Sequence, residues 1–211
     1  MKNGFVLGCE RTREAVYIDP GDEVEELLAF IEAEKLHVTH LLLTHAHVDH
    51  VSGLAAARRR LDAPIHMHQA DVEVYANAVN YGKVFGLRVE APPPVDHFYD
   101  GSVIPFGDYR VTAHHTPGHC PGGVCLAVAS SPQALKPSGP PSLFVGDTLF
   151  AGSIGRTDLP GGDYETLMRS ITQVLFPFGD AARVFPGHGP DTTIGHERRT
   201  NPFVLDYLSR T

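Results

Sequence analysis

Residues 44–50 read Thr44-His45-Ala46-His47-Val48-Asp49-His50. Three imidazoles and a carboxylate fall within six residues. The segment joins an apolar run from His40 to Thr44, which reads as a strand, to Ser52–Leu61, whose alanine and leucine content suits a helix. The histidines therefore sit on a strand-to-helix loop, where neighbouring side chains can converge. Neutral imidazole and carboxylate are the usual non-thiolate ligands of zinc and similar cations. The plainer reading is a polar helix entrance capped by Thr44 or Asp49; so dense a run of histidine favours metal.

Three further segments share one form: Thr116-Pro117-Gly118-His119, Val145-Gly146-Asp147-Thr148 and Phe185-Pro186-Gly187-His188-Gly189. In each, a strand exits into a glycine-flanked turn carrying one ligand-type residue. Glycine lets the backbone turn sharply and approach closely, which suits side chains aimed at one point from several strand ends. Any one of these is an ordinary turn. In this order behind the first motif they read as parts of one centre.

Around these motifs, residues 4–9 and 15–18 read as a hairpin ending in the turn cluster Asp19-Pro20-Gly21-Asp22. Asp22 and Glu25 have capping-box spacing, and Val24, Leu27, Leu28 and Ile31 give an amphipathic helix to about Lys35. Pro64–His68 alternates as a strand, and Val72, Tyr75, Ala76 and Val79 mark a helix before Gly82. Short β-rich runs follow at Val103–Phe106, Tyr109–His114 and Gly123–Val128, and Ser130–Ser142 has the composition of a surface loop. Leu143–Gly146 and Arg183–Phe185 read as strands, Tyr164, Leu167, Met168 and Ile171 as a helix, and Asn201-Pro202 as the start of a final helix. Strands interleaved with helices suit two sheets with helices outside them, or a doubly wound sheet.

At 211 residues and 42% hydrophobic, residues 1–211 are expected to form one domain. A net charge of −8 gives no general attraction to nucleic acid or to an anionic membrane, so neither is expected as a partner. Met1–Pro20 is broken by Lys2, Glu10, Arg11, Arg13 and Glu14 and does not resemble a signal peptide, and no run is long and apolar enough to span a bilayer. Cys9, Cys120 and Cys125 form no disulfide framework or CxxC site. A cytoplasmic location is the expectation, and the oligomeric state is left open.

These motifs together resemble the metallo-β-lactamase superfamily, and within it the glyoxalase II-like, or hydroxyacylglutathione hydrolase-like, branch. The resemblance runs from about Gly8 through Ile18-Asp19-Pro20-Gly21, residues 44–50, His119, Gly146-Asp147, Gly155-Arg156-Thr157-Asp158 and His188 to Asn201-Pro202-Phe203. It implies an α/β fold, an αββα sandwich with the metal site at one edge of the paired sheets. It implies two divalent metal ions, zinc with iron or manganese as alternatives. One would be held by His45, His47 and His119, the other by Asp49, His50 and His188, with Asp147 bridging. Two metals about 3.5–4 Å apart share a water, lower its pKa and aim the resulting bridging hydroxide at a carbonyl. Asp49 is the candidate to orient that hydroxide or take its proton.

The resemblance also implies a substrate, a small-molecule thioester such as S-lactoylglutathione. Glyoxalase II proper grips glutathione with a Gly-Lys-Phe-Tyr-like loop and a C-terminal helical domain. Here the loop is Gly155-Arg156-Thr157-Asp158 and no helical domain is expected. Arg156 could pair with a substrate carboxylate or brace its own loop through Asp158. The loop also resembles that of iron-dependent persulfide dioxygenases, which would use His45, His119 and Asp147 on one iron; Pro186-Gly187-His188-Gly189-Pro190 resembles the hydrolases instead. Asp147 stands where β-lactamases proper carry a cysteine or no bridging carboxylate. The histidines outside these motifs are expected to be structural. His66 and His68 should share one strand face, of His114 and His115 only one can face the cleft, and His37, His40, His97 and His196 read as surface or cap residues. Arg58–Arg60 and Arg198-Arg199 read as solvated helix faces, and Cys120 as a buried inert thiol.

Overall fold

In the computed structural model, which describes residues 2–84, 86, 89–132, 134 and 139–210, the chain opens with the expected hairpin. Strand β1 (Phe5–Gly8) pairs antiparallel with β2 (Glu14–Ile18). Helix α1 (Val24–Ala33) leads to β3 (His37–Leu42), and the histidine loop runs into a single helical turn, α2 (Val48–Val51), then α3 (Leu54–Leu61). Strand β4 (Ile65–Met67), helices α4 (Val72–Ala76) and α5 (Ala78–Val84) and the short β5 (His97–Phe98) complete the first half. The second half runs β6 (Val103–Phe106), β7 (Tyr109–His115), β8 (Val124–Ser130), β9 (Ser142–Gly146), the small hairpin β10 (Leu149–Phe150) and β11 (Ser153–Ile154), α6 (Tyr164–Arg169), β12 (Arg183–Pro186), β13 (Thr192–Thr193), α7 (Ile194–Thr200) and α8 (Pro202–Arg210).

Two large sheets form beside the β10–β11 hairpin, so the doubly wound alternative falls. One has strand order β1-β2-β3-β4-β5, the other β13-β12-β9-β8-β7-β6. Because successive side chains point to opposite faces, the alternation sorts the core into layers. Val16, Ile18 and Leu42 of the first sheet meet Ile104, Phe106, Val111, Val124, Leu126 and Phe144 of the second. Ala15, Tyr17, Leu41, Leu43, Ile65 and Met67 face the other way onto α1, α3, α4 and α5. Cys125, Leu143, Val145 and Val184 likewise face Leu167, Met168, Ile171, Ile194 and Val204 on the far side. The αββα sandwich is therefore built by period-two strands buried on both faces. Among the described residues no helix is long and apolar enough to cross a membrane.

Several local expectations change. The Asp22–Glu25 capping box does not form: Asp22 accepts from the Ser52 hydroxyl at 2.9 Å, and the helix starts at Val24 without a side-chain cap. A tertiary partner outbids the local one. That helix ends at Ala33, with Lys35 in the left-handed region at φ 52°. The helix expected to stop at Gly82 is broken instead at Asn77, and Gly82 lies inside α5. The run from α6 continues through Ser170–Leu175 with π-helical bonding. Of the expected surface loop, β8 claims residues up to Ser130 and β9 begins at Ser142, while residues 133 and 135–138 lie outside the described residues.

Candidate metal centre

Strands β7 and β9 both run antiparallel to β8, and β12 runs parallel to β9, so all three exit at the same edge of their sheet. The exit of β3 in the facing sheet is stitched to it there, Val124 N donating to Thr44 O at 2.8 Å. This places the four motif loops together. Gly146 takes φ 51°, and a Cβ there would stand 2.4 Å from Thr44 Oγ1. Gly187 has no room for a Cβ either, since one would lie 2.4 Å from Asp147 Oδ1 and 2.6 Å from His50 Cε1. Both glycines are required by close approach.

All seven sequence-derived candidates converge. Ligand-type atoms of His45, His47 and His119 lie mutually close, as do those of Asp49, His50 and His188, and Asp147 groups with His45 and His50. Asp147 sits between the two sets: Oδ1 is 3.4 Å from His50 Nε2, and Oδ2 is 3.6 Å from His119 Nε2 and 3.5 Å from His188 Nε2. His47 Nδ1 and His119 Nε2 are 2.8 Å apart, and His188 Nε2 is 3.0 Å from Asp49 Oδ2.

The outer ring atoms are held by groups that sequence reasoning assigned no role. His119 Nδ1 donates to Arg156 O at 2.7 Å, since a carbonyl can only accept, and this turns Nε2 inward to the cluster. His50 Nδ1 lies 2.9 Å from Asp19 Oδ2, and the same buried carboxylate accepts from Thr44 N (2.7 Å) and Thr44 Oγ1 (2.6 Å). Asp71, fully buried, accepts from Ala46 N at 2.9 Å and Gly122 N at 2.6 Å, with Cys120 Sγ also on it. It thereby ties the His45–His47 loop to the His119 loop. Lys2 Nζ donates to Asp19 O and lies 3.1 Å from Glu23 Oε1. Asn3 N donates to Gly187 O at 2.6 Å, and its amide donates to Pro186 O and Gly189 O. The one available signal was Asp19 in a Pro-Gly turn at a strand end; the others left none.

Electrostatics divide the cluster. Burial, reinforced by neighbouring imidazoles, pushes His47 down to about 4 and His45 well below its ordinary value, so both are neutral and ready to ligate. Burial opposes charge on His50 too, but the Asp19 and Asp147 carboxylates outweigh it and raise it to about 10. The hydrogen bond to Asp49 raises His188. Against their own burial, Asp49 is held below the usual carboxylate range by His188 and His50, and Asp147 chiefly by His50.

Whether the donor set fits two cations is tested by what it leaves unsatisfied. Six buried side-chain atoms of the described residues lack a hydrogen-bond partner; Tyr17 OH, Glu23 Oε2 and Arg198 Nε are scattered, whereas His45 Nε2, His50 Nε2 and Asp147 Oδ1 all belong to the cluster. Buried polar atoms are otherwise nearly always bonded. Orphaned atoms surrounded by five imidazoles and two carboxylates suit a divalent ion of zinc, iron or manganese type.

The remaining candidates separate from the site. Arg156 lines the cleft, but its guanidinium is bidentate to Asp158, with both contacts at 2.7 Å. His66 and His68 do not share a face: β4 ends at Met67, His66 bonds His40 at 3.0 Å, and His68 stacks on His115. His40 is therefore no simple surface residue. His114 packs on Phe178, so neither it nor His115 reaches the cleft. The Arg58–Arg60 and Arg198-Arg199 groups pair elsewhere, with Asp96, Glu90, Glu32 and Asp180.

Comparison with known proteins gives the same picture. The pattern of the metallo-β-lactamase superfamily matches residues 3–132. The hydroxyacylglutathione hydrolase GloC of Haemophilus influenzae is 36% identical over 195 residues, which cover 91% of this chain and 88% of that one. TTHA1623, solved in a di-iron-bound form, superposes with a TM-score of 0.82 at 40% identity, covering 96% of this chain and 95% of that one. The B3 metallo-β-lactamase BLEG-1 superposes at 0.84 with 35% identity, covering 96% and 94%. With more than half its length under the family pattern and its strands in the same paired sheets, this chain is a member of the metallo-β-lactamase superfamily.

Proposed function

We propose that the chain is a two-metal hydrolase acting on thioesters, the class to which S-lactoylglutathione belongs. The observation that carries the reading is the orphaned trio His45 Nε2, His50 Nε2 and Asp147 Oδ1 at the meeting point of two complete ligand groups. His45, His47 and His119 would hold one cation and Asp49, His50 and His188 the other, with Asp147 shared. Bound there, two zinc, iron or manganese ions would polarise the thioester carbonyl and bring the pKa of water towards neutrality.

The chain's own groups do the rest. Asp49 lines the cleft with a carboxylate, so one oxygen can take the proton that water gives up as its oxygen bonds to the carbonyl carbon. The C–S bond then breaks, the proton held on Asp49 passes to the departing sulfur, and the acid and the thiol are released. Asp19 and the Arg156 carbonyl fix the ring orientation of His50 and His119, so no reorganisation is needed there during reaction. The name of the GloC relative, a hydroxyacylglutathione hydrolase, supports the thioester class.

A one-iron persulfide dioxygenase built on His45, His119 and Asp147 would leave the Asp49, His50 and His188 group without a purpose. The likeness to BLEG-1 makes a β-lactam amide a competing electrophile. Metal analysis of the purified protein, combined with assays on S-lactoylglutathione, a β-lactam and a persulfide with oxygen uptake, separates these. The expected result is close to two metals per chain and thioester turnover well above the other two. One iron per chain with oxygen uptake would overturn it, and so would β-lactam turnover without thioesterase activity.

A further inference from the structure

The cleft over the seven-residue cluster has a volume of about 540 Å³, within the range of small-molecule sites. Its floor is polar, formed by His47, Asp49, His119, Asp147 and His188 of the cluster. Its sides are not. Val74 comes from α4, Tyr81 and Val84 from α5, and Leu159 and Pro160 from the loop after β11. Val84 is 79% exposed, so apolar surface stands in water beside the reacting centre. Such surface favours a ligand group that removes it from solvent.

Charge in the cleft points the same way. Arg156 is the one lysine or arginine among the described lining residues. Its charge is already balanced by Asp158, two residues along, through both Nε and Nη2. Among the described lining residues, a carboxylate-bearing thiol such as glutathione would find no side-chain cation that is not already paired.

We propose that the cleft selects thioesters carrying an apolar group next to the scissile bond, on an uncharged carrier, over anionic peptide thioesters. Val74, Tyr81, Val84, Leu159 and Pro160 are the specificity-determining wall, and the Arg156–Asp158 pair withholds the one side-chain cation among the described lining residues. The inference rests on the hydrolase reading above. An apolar chain gains by leaving water against this wall while its carbonyl sits over the polar floor. That binding energy, taken from a remote part of the substrate, is available to position the reacting bond.

The test compares S-hexanoyl-N-acetylcysteamine with S-lactoylglutathione on the metal-loaded protein. The expected kcat/KM ratio favours the hexanoyl thioester by about tenfold or more. Tyr81→Ser and Leu159→Ser should each lower that ratio several-fold through KM, and Tyr81→Phe should keep it. Asp158→Ala, on an exposed loop, should raise kcat/KM for S-lactoylglutathione by freeing Arg156, a gain that misfolding cannot imitate. Calorimetric binding of the unreactive thioether S-hexyl-N-acetylcysteamine supplies a readout independent of turnover and should weaken in Tyr81→Ser. A preference for S-lactoylglutathione, or a ratio indifferent to Tyr81 and Leu159, overturns the inference and leaves the hydrolase standing. Tyr81-dependent thioether binding with no thioester hydrolysed supports the apolar wall and overturns the hydrolase.

Discussion

Asp147 and Asp49 are both carboxylates of the same cluster, but they are placed for different work. Asp147 reaches His50, His119 and His188 within 3.4–3.6 Å and is nearly buried, so it belongs to both ligand groups. Asp147→Ala should lose both metals and lower kcat/KM by on the order of 10³-fold or more, equivalent to about 4 kcal/mol; metal analysis beside steady-state kinetics checks it. Asp49→Asn should retain more metal and still lose most of the rate, because an amide cannot accept the proton. Near-normal turnover in that variant would remove Asp49 from the mechanism. Asp71 makes no contact with the cluster's inward atoms, yet it holds the amides of Ala46 and Gly122. Asp71→Asn converts one acceptor into a donor facing a backbone N–H. The expected result is about 10–100-fold weaker metal binding, the range typical of supporting residues behind a ligand. Competition with a chelator measures it, and an unchanged affinity would make Asp71 merely structural.

The loops deliver these side chains, and their glycines set the tolerance. Gly187→Ala would drive a Cβ into Asp147 and His50 while leaving the His45, His47 and His119 group unaddressed. Metal content should fall from two equivalents towards one with the circular dichroism spectrum preserved, whereas retention of both would show that the loop can move aside. The sequence made this set legible because ligand type and glycine are local signals: residues 45–50 announce themselves within six positions. The sandwich followed from the same motifs; periodicity alone left two architectures open, since Leu41-Leu42-Leu43 is apolar throughout and does not say which face meets what. Asp19 and Asp71 stayed hidden because each acts on a partner 25 residues away. The capping box at Asp22 misled for the same reason, a distant hydroxyl having taken the carboxylate. Strands of two residues, such as β5 and β13, exist only through their pairing and have no pattern to read.

Across the whole molecule, three histidines lie together on the first sheet. His40 bonds His66, and the His66 and His97 rings are 4.8 Å apart. Burial, helped by its two neighbours, pushes His66 down to about 4, so folding favours its neutral form. The unfolded chain, with a histidine near its ordinary value of 6.5, binds the proton first. Stability from this group is therefore complete above about pH 6.5 and is lost as pH falls through about 4. Thermal melts from pH 7 to 4.5 should show a decline that is shallower in His66→Gln, and parallel curves would refute the assignment. The other long-range feature is the seam at the start of the chain, where Lys2 bridges to His188 and Asn3 donates to Gly187. Anything fused ahead of Lys2 is tethered beside a ligand-bearing loop. An oligohistidine purification tag at that end would present competing imidazoles at the mouth of the centre and could distort the measured metal count, so stoichiometry is best taken from protein cleaved of such a tag or labelled elsewhere.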